Sequence, residues 1–429
     1  MNIVFIVHYF PPVNSSGAKR VEAISKYLAA DGHDVTVITT RKTASDGGFT
    51  EAYPERVRVL ELDHFGRLRP SEETSGAFEP MYTGKPSLKR RIKDLVLNVL
   101  GQVPDPRLPF ALSFLSPGMP PQVKEVLARA DVVIGSSPPW PLLLAAVICR
   151  KRFKVPCILD YRDHFSECHE MPGGRFAKWL ELKIDRWLVA NASQLVTISE
   201  PMSSYYRTMS PSVVTIMNGY DHEVLDAARL RANLPSPHKI VLRYMGIVSP
   251  GRVPHNIMSA LVRLKKHAPE LFERFQIEYY GGADLIRDAL EKRYPDIKSA
   301  YSFHAAVPYQ DSLRLIVEAD YLLFAETSST QTLSAQGILT TKLFEYIGAG
   351  RPVLGDISHE SLAGSFLRRA DEKNVIGVTP DIFFEAFNAA NFYQRKPNVV
   401  SDFAQGLSRR AQAYQYADVI RQVVAREQE

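Results

Sequence analysis

A chain of 429 residues, 45% hydrophobic and 23% charged, has the composition of a folded globular protein, and its length exceeds what one hydrophobic core supports, so two domains are expected. The formal net charge of +5 is too small to argue for nucleic acid, although a cationic cleft or contact with anionic lipid is compatible with it. No apolar run reaches the roughly 18 residues of a membrane span, and the three cysteines, Cys149, Cys157 and Cys168, make no CxxC and leave one over in any disulfide scheme, as in a reducing compartment.

The opening MNIVFIVHYF is too short an apolar stretch for a leader and runs into Pro11 and Pro12, so it reads as a buried strand of a cytoplasmic protein. Strands and helices then alternate: IVFIV at 3–7, a helix from about Gly17 to Ala30, VTVIT at 35–39, DVVIG at 131–135, a helix from Trp140 to about Arg152, PCILD at 156–160, a helix near 175–191 and LVTIS at 195–199. That rhythm implies parallel βαβ units with right-handed crossovers. The first strand leads into HYFPPVNSSGAKR, a Ser- and Gly-rich turn whose amides suit a phosphate oxygen, with Gly17 at the helix start. It is not GxGxxG, so the dinucleotide fingerprint is absent.

Residues 43–129 are longer than a strand-to-helix connection requires. Within them SLKRRIKDLVLNVLGQV reads as an amphipathic helix, either a cap on the domain or a segment whose Lys89, Arg90, Arg91 and Lys93 touch anionic lipid. DYRDHF follows the strand at 156–160 and puts Asp160, Arg162 and Asp163 at the carboxyl end of the sheet, where an internal Arg162–Asp160 ion pair would account for two of the three charges. His164, Cys168 and His169 have helical spacing but lack a clear fourth ligand, so no metal is expected.

The polar stretch at 218–238, with two prolines, reads as a linker between a first domain at 1–217 and a second at 239–400. The second half restarts the alternation with KIVLRYMG at 239–246, FQIEYYG at 275–281, SFHA near 302–305, DYLLFAE at 320–326, PVLG at 352–355 and NVIGV at 374–378. Residues 401–428 read as one long helix, apolar at Phe403, Leu407, Ala411, Tyr414, Val419 and Val423, which either caps the second domain or crosses back to the first. Two doubly wound domains of this kind bind ligands at the carboxyl ends of their strands. In TTKLFEYIGAGRPVLG at 340–355, Lys342 and Glu345 share one face at a helix start, where backbone amides favour phosphate as well.

The pieces YFPP with Gly17 and Arg20, GHDVTVIT, DVVIGSSPP, ILDYRDHF, VTISEPM, IMNGYD, YMGIVSPGR and TKLFEYIGAGRPVL span nearly the whole chain. In that order they resemble a family 4 glycosyltransferase of the GT-B fold, in the subgroup with RD and TKLFEY motifs typical of bacterial surface-polysaccharide assembly. The resemblance implies two Rossmann-like domains facing across a cleft and retaining transfer of a sugar from a nucleotide-diphosphate sugar to a saccharide or lipid-linked acceptor. It implies no metal and no other cofactor, and a cytoplasmic site of action with peripheral contact to the inner membrane face.

By the same resemblance Arg252 and Lys342 neutralise the diphosphate and Glu345 takes the ribose hydroxyls, with Gly17, Gly246 and Thr341 completing the donor site. Arg20, Ser137, Asp160 and His164 fall on the acceptor side. Asp163, with Arg162, is the expected catalytic group, and His164 is a rival base. The family's acidic pair stands eight positions apart, and counting back from Glu345 reaches Gly337. Glu326 is the substitute by position. The other readings are a nucleotide-sugar or glycan-binding protein without catalysis and a nucleotide-sugar epimerase.

Overall fold

The structure is a computed structural model that describes residues 1–13, 15–43, 52–70, 100–168, 173–233, 238–326, 337, 339–389, 392 and 400–428. The chain divides into two compact units. Unit 1 comprises Met1–Met217, Gln331–Gly337 and Arg409–Glu429; unit 2 comprises Asn218–Thr330 and Ile338–Ser408. Together they give two parallel-sheet, Rossmann-like α/β domains of the GT-B fold.

Unit 1 is built on β1 (Asn2–Val7), β2 (Asp34–Thr40), β3 (Val57–Leu62), β4 (Val132–Ser137), β5 (Cys157–Tyr161), β6 (Gln194–Thr197) and β7 (Val213–Thr215). All pairs are parallel, in the order β3-β2-β1-β4-β5-β6-β7. Strands buried on both faces read as unbroken apolar runs, and β1 shows why. Ile3, Phe5 and Val7 pack in one layer with the helices Ser16–Ala30 and Arg409–Gln428, while Val4 and Ile6 pack in the other with the helix Pro141–Phe153.

Unit 2 carries β8 (Ile240–Met245), β9 (Phe275–Tyr280), β10 (Tyr301–His304), β11 (Tyr321–Ala325), β12 (Val353–Asp356) and β13 (Val375–Gly377), all parallel, in the order β10-β9-β8-β11-β12-β13. Its core gathers Leu242, Tyr244, Ile277, Tyr279 and Leu323 from the strands with Ile257, Leu261 and Leu264 from the helix His255–His267.

Three expectations are corrected. The stretch at 218–238 is not a plain linker, because Asp221 caps the helix His222–Leu230 by accepting from the amides of Glu223 and Val224, and Leu225 and Ala228 are buried within unit 2. The C-terminal stretch is two helices, Asp402–Gln405 and Arg409–Gln428, broken where Ser408 bridges to Tyr220. The buried face of the second helix runs through Gln412, Ala413, Tyr416, Ile420 and Val423, so Tyr414 is exposed. Strands β3 and β7 were not anticipated. The proposed lipid-facing residues Lys89, Arg90, Arg91 and Lys93, and also His169, lie outside the described residues.

Candidate active site

In unit 2 the charged side chains converge beyond the carboxyl ends of β8 and β11. At the end of β8 the chain turns at Gly246, whose φ of 99° is the left-handed region where glycine carries no Cβ penalty. The Gly246 amide still donates to the Tyr280 carbonyl at 2.8 Å. A Cβ at Gly246 would lie 3.8 Å from Cε and Nζ of Lys342, an ordinary contact distance, so it is the positive φ of the turn rather than the lysine that calls for glycine here.

Lys342 is the second residue of the helix Thr341–Ala349, which ends at Gly350 with φ 66°. Its Nζ sits over the Tyr244 ring, 3.5 Å from the centroid. Tyr244 is the last residue but one of β8, just before Gly246, so the aromatic ring lies close to the place where the chain leaves the sheet. The same helix is fixed to β8 from inside, because Tyr346 Oη accepts from the Met245 amide at 3.0 Å.

Opposite Lys342, Glu326 follows the last residue of β11, with Oε1 4.0 Å from Nη2 of Arg252. Thr340, at the N-cap position, makes no side-chain cap bond to its own helix, and its side chain hydrogen-bonds to Glu326 instead. The first-turn amides of the helix are thereby left without a side-chain cap, the arrangement that accepts an anionic ligand. Thr341 opens this turn and Glu345 stands three residues beyond Lys342, both half-buried.

Burial dominates the protonation of this group. Loss of solvent pushes the Lys342 ammonium down to about 7, and the Arg252 guanidinium pushes the same way, against Glu326 and Glu345. Burial raises the Glu326 carboxyl, and Arg252, Thr340 and Lys342 oppose that. The Tyr244 phenol is pushed up to about 12 by burial, so it stays neutral beneath the lysine.

The sequence-derived residues of unit 1 separate into a structural set and an exposed carboxylate. Arg20 and Asp160 are 5% and 1% exposed, too buried to meet an acceptor. Nη2 of Arg20 lies 3.1 Å from Oδ1 of Asp160, its two terminal nitrogens donate to the carbonyls of Ile216 and Met217 at 2.7 Å, and Ser136 Oγ donates to Asp160 at 2.8 Å. The partner of Asp160 is therefore Arg20 rather than Arg162.

Arg162 spends its guanidinium on main-chain carbonyls: Nε to Ser137 and Nη2 to Pro138 at 3.0 Å each, and Nη1 to Gly17. It ties the start of the Ser16–Ala30 helix to the cis-proline turn Ser137–Pro138–Pro139, which makes it a positioning residue. A Cβ at Gly17 would lie 3.2 Å from the Tyr9 ring and 3.4 Å from Nη1 of Arg162, so glycine there permits that tie. Ser137 is buried and contributes its carbonyl. His164 is buried and packs on Tyr206 and Tyr205, with ring centroids 5.7 and 5.1 Å away. Asp163 is the exposed member of DYRDH. Gly337 belongs to unit 1, and a Cβ there would meet Ser199 Oγ at 2.7 Å, so no acidic side chain fits at that position without a shift.

Tyr244 and Thr340 are site residues that sequence reasoning passed over. Nothing in the sequence shows that Tyr244 underlies Lys342, or that Thr340 turns from capping to Glu326.

Residues 17–219 match the family model of the glycosyl transferase 4-like domain, just under half of the chain. A search of curated proteins returns no significant sequence match. Among solved structures, HepE of Anabaena in complex with UDP and glucose superposes with a TM-score of 0.58 at 13% identity, covering 98% of this chain and 99% of HepE. Sucrose-phosphate synthase of Thermosynechococcus elongatus gives 0.55 at 17% identity, with 99% of each chain covered. UDP-GlcNAc 2-epimerase of Methanocaldococcus jannaschii gives 0.54 at 11%, covering 98% of this chain and 99% of the epimerase. These likenesses establish the shared fold.

Proposed function

We propose that the protein is a retaining glycosyltransferase that takes a sugar from a nucleotide-diphosphate sugar and passes it to a saccharide or lipid-linked saccharide in the assembly of a cell-surface polysaccharide. The observation that carries this reading is the convergence of Arg252, Glu326 and Lys342 around Tyr244, beside the helix start at Thr341 that has no side-chain cap. UDP is the first nucleotide to test, because HepE of Anabaena was solved with it.

As the bond from the sugar to the diphosphate breaks, negative charge grows on the departing phosphate oxygens. Groups already fixed in a site of low polarity stabilise that charge without reorganising. Arg252 supplies a permanent cation, and the bound diphosphate keeps Lys342 as the ammonium, its proton drawn from solvent on binding, so both charges are in place before the bond breaks. These two cations give the compensation for which other transferases use a divalent ion. Glu345 accepts from the ribose hydroxyls. Glu326 Oε1 has no hydrogen-bond partner among the described residues and is the acceptor we assign to a hydroxyl of the donor sugar. Asp163 takes the proton of the attacking acceptor hydroxyl. The pathway and a peripheral place at the inner membrane face are inferred from the resemblance of the RD and TKLFEY motifs.

The test is a thermal-shift series with UDP, GDP, ADP and dTDP, in which a ligand at about 100 times its dissociation constant stabilises by roughly 2.7 kcal/mol. One diphosphate is expected to raise the melting temperature. Lys342→Ala and Glu345→Ala are each expected to cut turnover at least about tenfold, on the order of 1.4 kcal/mol. No shift with any diphosphate would sink the donor-site assignment. The epimerase fold match motivates one alternative: incubation with a nucleotide sugar and no acceptor separates them, since an epimerase returns an isomerised sugar nucleotide and a transferase does not.

A further inference from the structure

The helix Arg175–Ala190 of unit 1 has an outer face that combines large rings with cations. Its exposed residues are Gly-flanked Arg175, then Phe176, Trp179, Lys183, Arg186, Trp187 and Ala190. Phe176 is 70% exposed, Trp179 53% and Trp187 42%, so one helix leaves three large rings in solvent, where scattered single ones would call for no account. At 100° per residue, positions 176, 179, 183 and 187 fall within one narrow stripe, and Arg175 and Arg186 flank it on one side.

Both acidic residues of the helix point the other way. Glu181 is fully buried, accepting from the Gln102 amide at 2.6 Å and pairing with Lys178 at 2.9 Å. Asp185 is fully buried and accepts from Tyr161 Oη and Ser166 Oγ at 2.8 Å each. The outward face of this helix therefore carries three cations, three aromatic rings and no carboxylate.

The rings are arranged with the cations rather than scattered among them. Phe176 stacks on Trp179 at 5.7 Å, Lys183 Nζ lies 5.9 Å from the Trp179 ring, and Lys151, exposed at the end of the helix Pro141–Phe153, lies 4.6 Å over Trp187. Tryptophan and phenylalanine beside lysine and arginine on a surface helix is the chemistry of the lipid headgroup zone: the rings enter the acyl boundary and the cations meet phosphate. A protein partner's hydrophobic pocket would match the rings but would leave this many cations needing acids; an anionic bilayer satisfies both at once.

We propose that the outer face of the Arg175–Ala190 helix, with Lys151, docks on an anionic lipid surface and holds unit 1 there. At 1.5 Å per residue the 16-residue helix is about 24 Å long, enough to lie flat along the headgroups. The helix follows β5, so its first turn, with Arg175 and Phe176, lies toward the carboxyl end of the sheet from which Asp163 emerges. Docking along this face brings that edge to the membrane plane, where a lipid-carried acceptor presents its saccharide. The docking itself stands on the helix alone, independently of the donor-site reading.

The full chain is tested against vesicles of phosphatidylcholine and of the same lipid with about one part in three phosphatidylglycerol. The chain has three tryptophans, and Trp140 is buried, so a blue shift of emission on binding reports Trp179 and Trp187. Binding with a blue shift is expected on the anionic vesicles. Phe176→Ser, Trp179→Ser and Trp187→Ser together should weaken it at least tenfold. Lys151→Gln, Lys183→Gln and Arg186→Gln together should weaken it about fivefold per charge and reduce the dependence on phosphatidylglycerol to what Arg175 retains. Both variants should keep the parent melting temperature and diphosphate binding, because these side chains are exposed and lie in neither charged cluster. Absence of vesicle binding, or binding unchanged in both variants, overturns the proposal; if diphosphate binding persists in that case, the donor reading stands without it.

Discussion

At the proposed donor site Lys342 is the residue to watch, because burial pushes its ammonium down to about 7. A bound diphosphate favours the ammonium, so binding above pH 7 must draw in a proton that binding below pH 7 does not need. Affinity for a nucleoside diphosphate is expected to fall by up to about tenfold per pH unit above about 7, and Lys342→Met should bind more weakly but without that slope. Calorimetry in buffers of different ionisation heat would count the proton directly; no uptake at pH 8 would refute the shift. Stability moves in the other direction. The unfolded chain retains its lysine proton up to the ordinary value of 10.5 and the folded chain loses it near 7, so the unliganded protein gains stability as pH rises across that window. The sequence offered Lys342 and Glu345 as neighbours at a helix start, and they are. It could not separate buried charges from exposed ones in the first half, where Arg20, Asp160 and Arg162 serve the scaffold and Asp163 alone of its segment faces outward. A motif preserves residue types, whereas burial depends on which strand end each one reaches.

At the scale of elements, the parallel strands were the legible part, because burial on both faces removes polar residues from the run. β3 and β7 escaped notice for the converse reason: Val57–Leu62 is largely half-exposed and Val213–Thr215 is three residues long. The helix His222–Leu230 was hidden by polar surroundings and by the prolines that follow it, although its Asp cap and the Leu225, Ala228 spacing were present. The ion pair between Arg20 and Asp160 is what joins the Ser16–Ala30 helix to β5 and to the chain beyond β7. Arg20→Ala leaves a carboxylate buried without its cation and is expected to cost about 3–5 kcal/mol. Arg20→Met combined with Asp160→Leu should cost much less. Urea unfolding decides it: a single variant as stable as the parent, with a raised acceptor KM, would return both residues to the acceptor site.

The whole molecule is not two domains in sequence. The last long helix, Arg409–Gln428, belongs to unit 1, where Tyr416, Ala417, Ile420 and Val423 complete the layer that covers Ile3, Phe5 and Val7. A chain ending at Ser408 would expose these strands; with about 1.5–3 kcal/mol for each large apolar side chain uncovered, a loss of 5 kcal/mol or more is expected. A melting temperature unchanged by that truncation would show the helix to be dispensable. The arrangement also fixes a schedule for synthesis. The piece that finishes the first core is translated after the roughly 190 residues of Asn218–Ser408, and at ribosomal speeds of about 5–20 residues per second the gap is on the order of 10–40 s. Throughout that interval the layer of Ile3, Phe5 and Val7 lacks this part of its cover, which leaves the nascent first unit more open to aggregation than a domain contiguous in sequence would be.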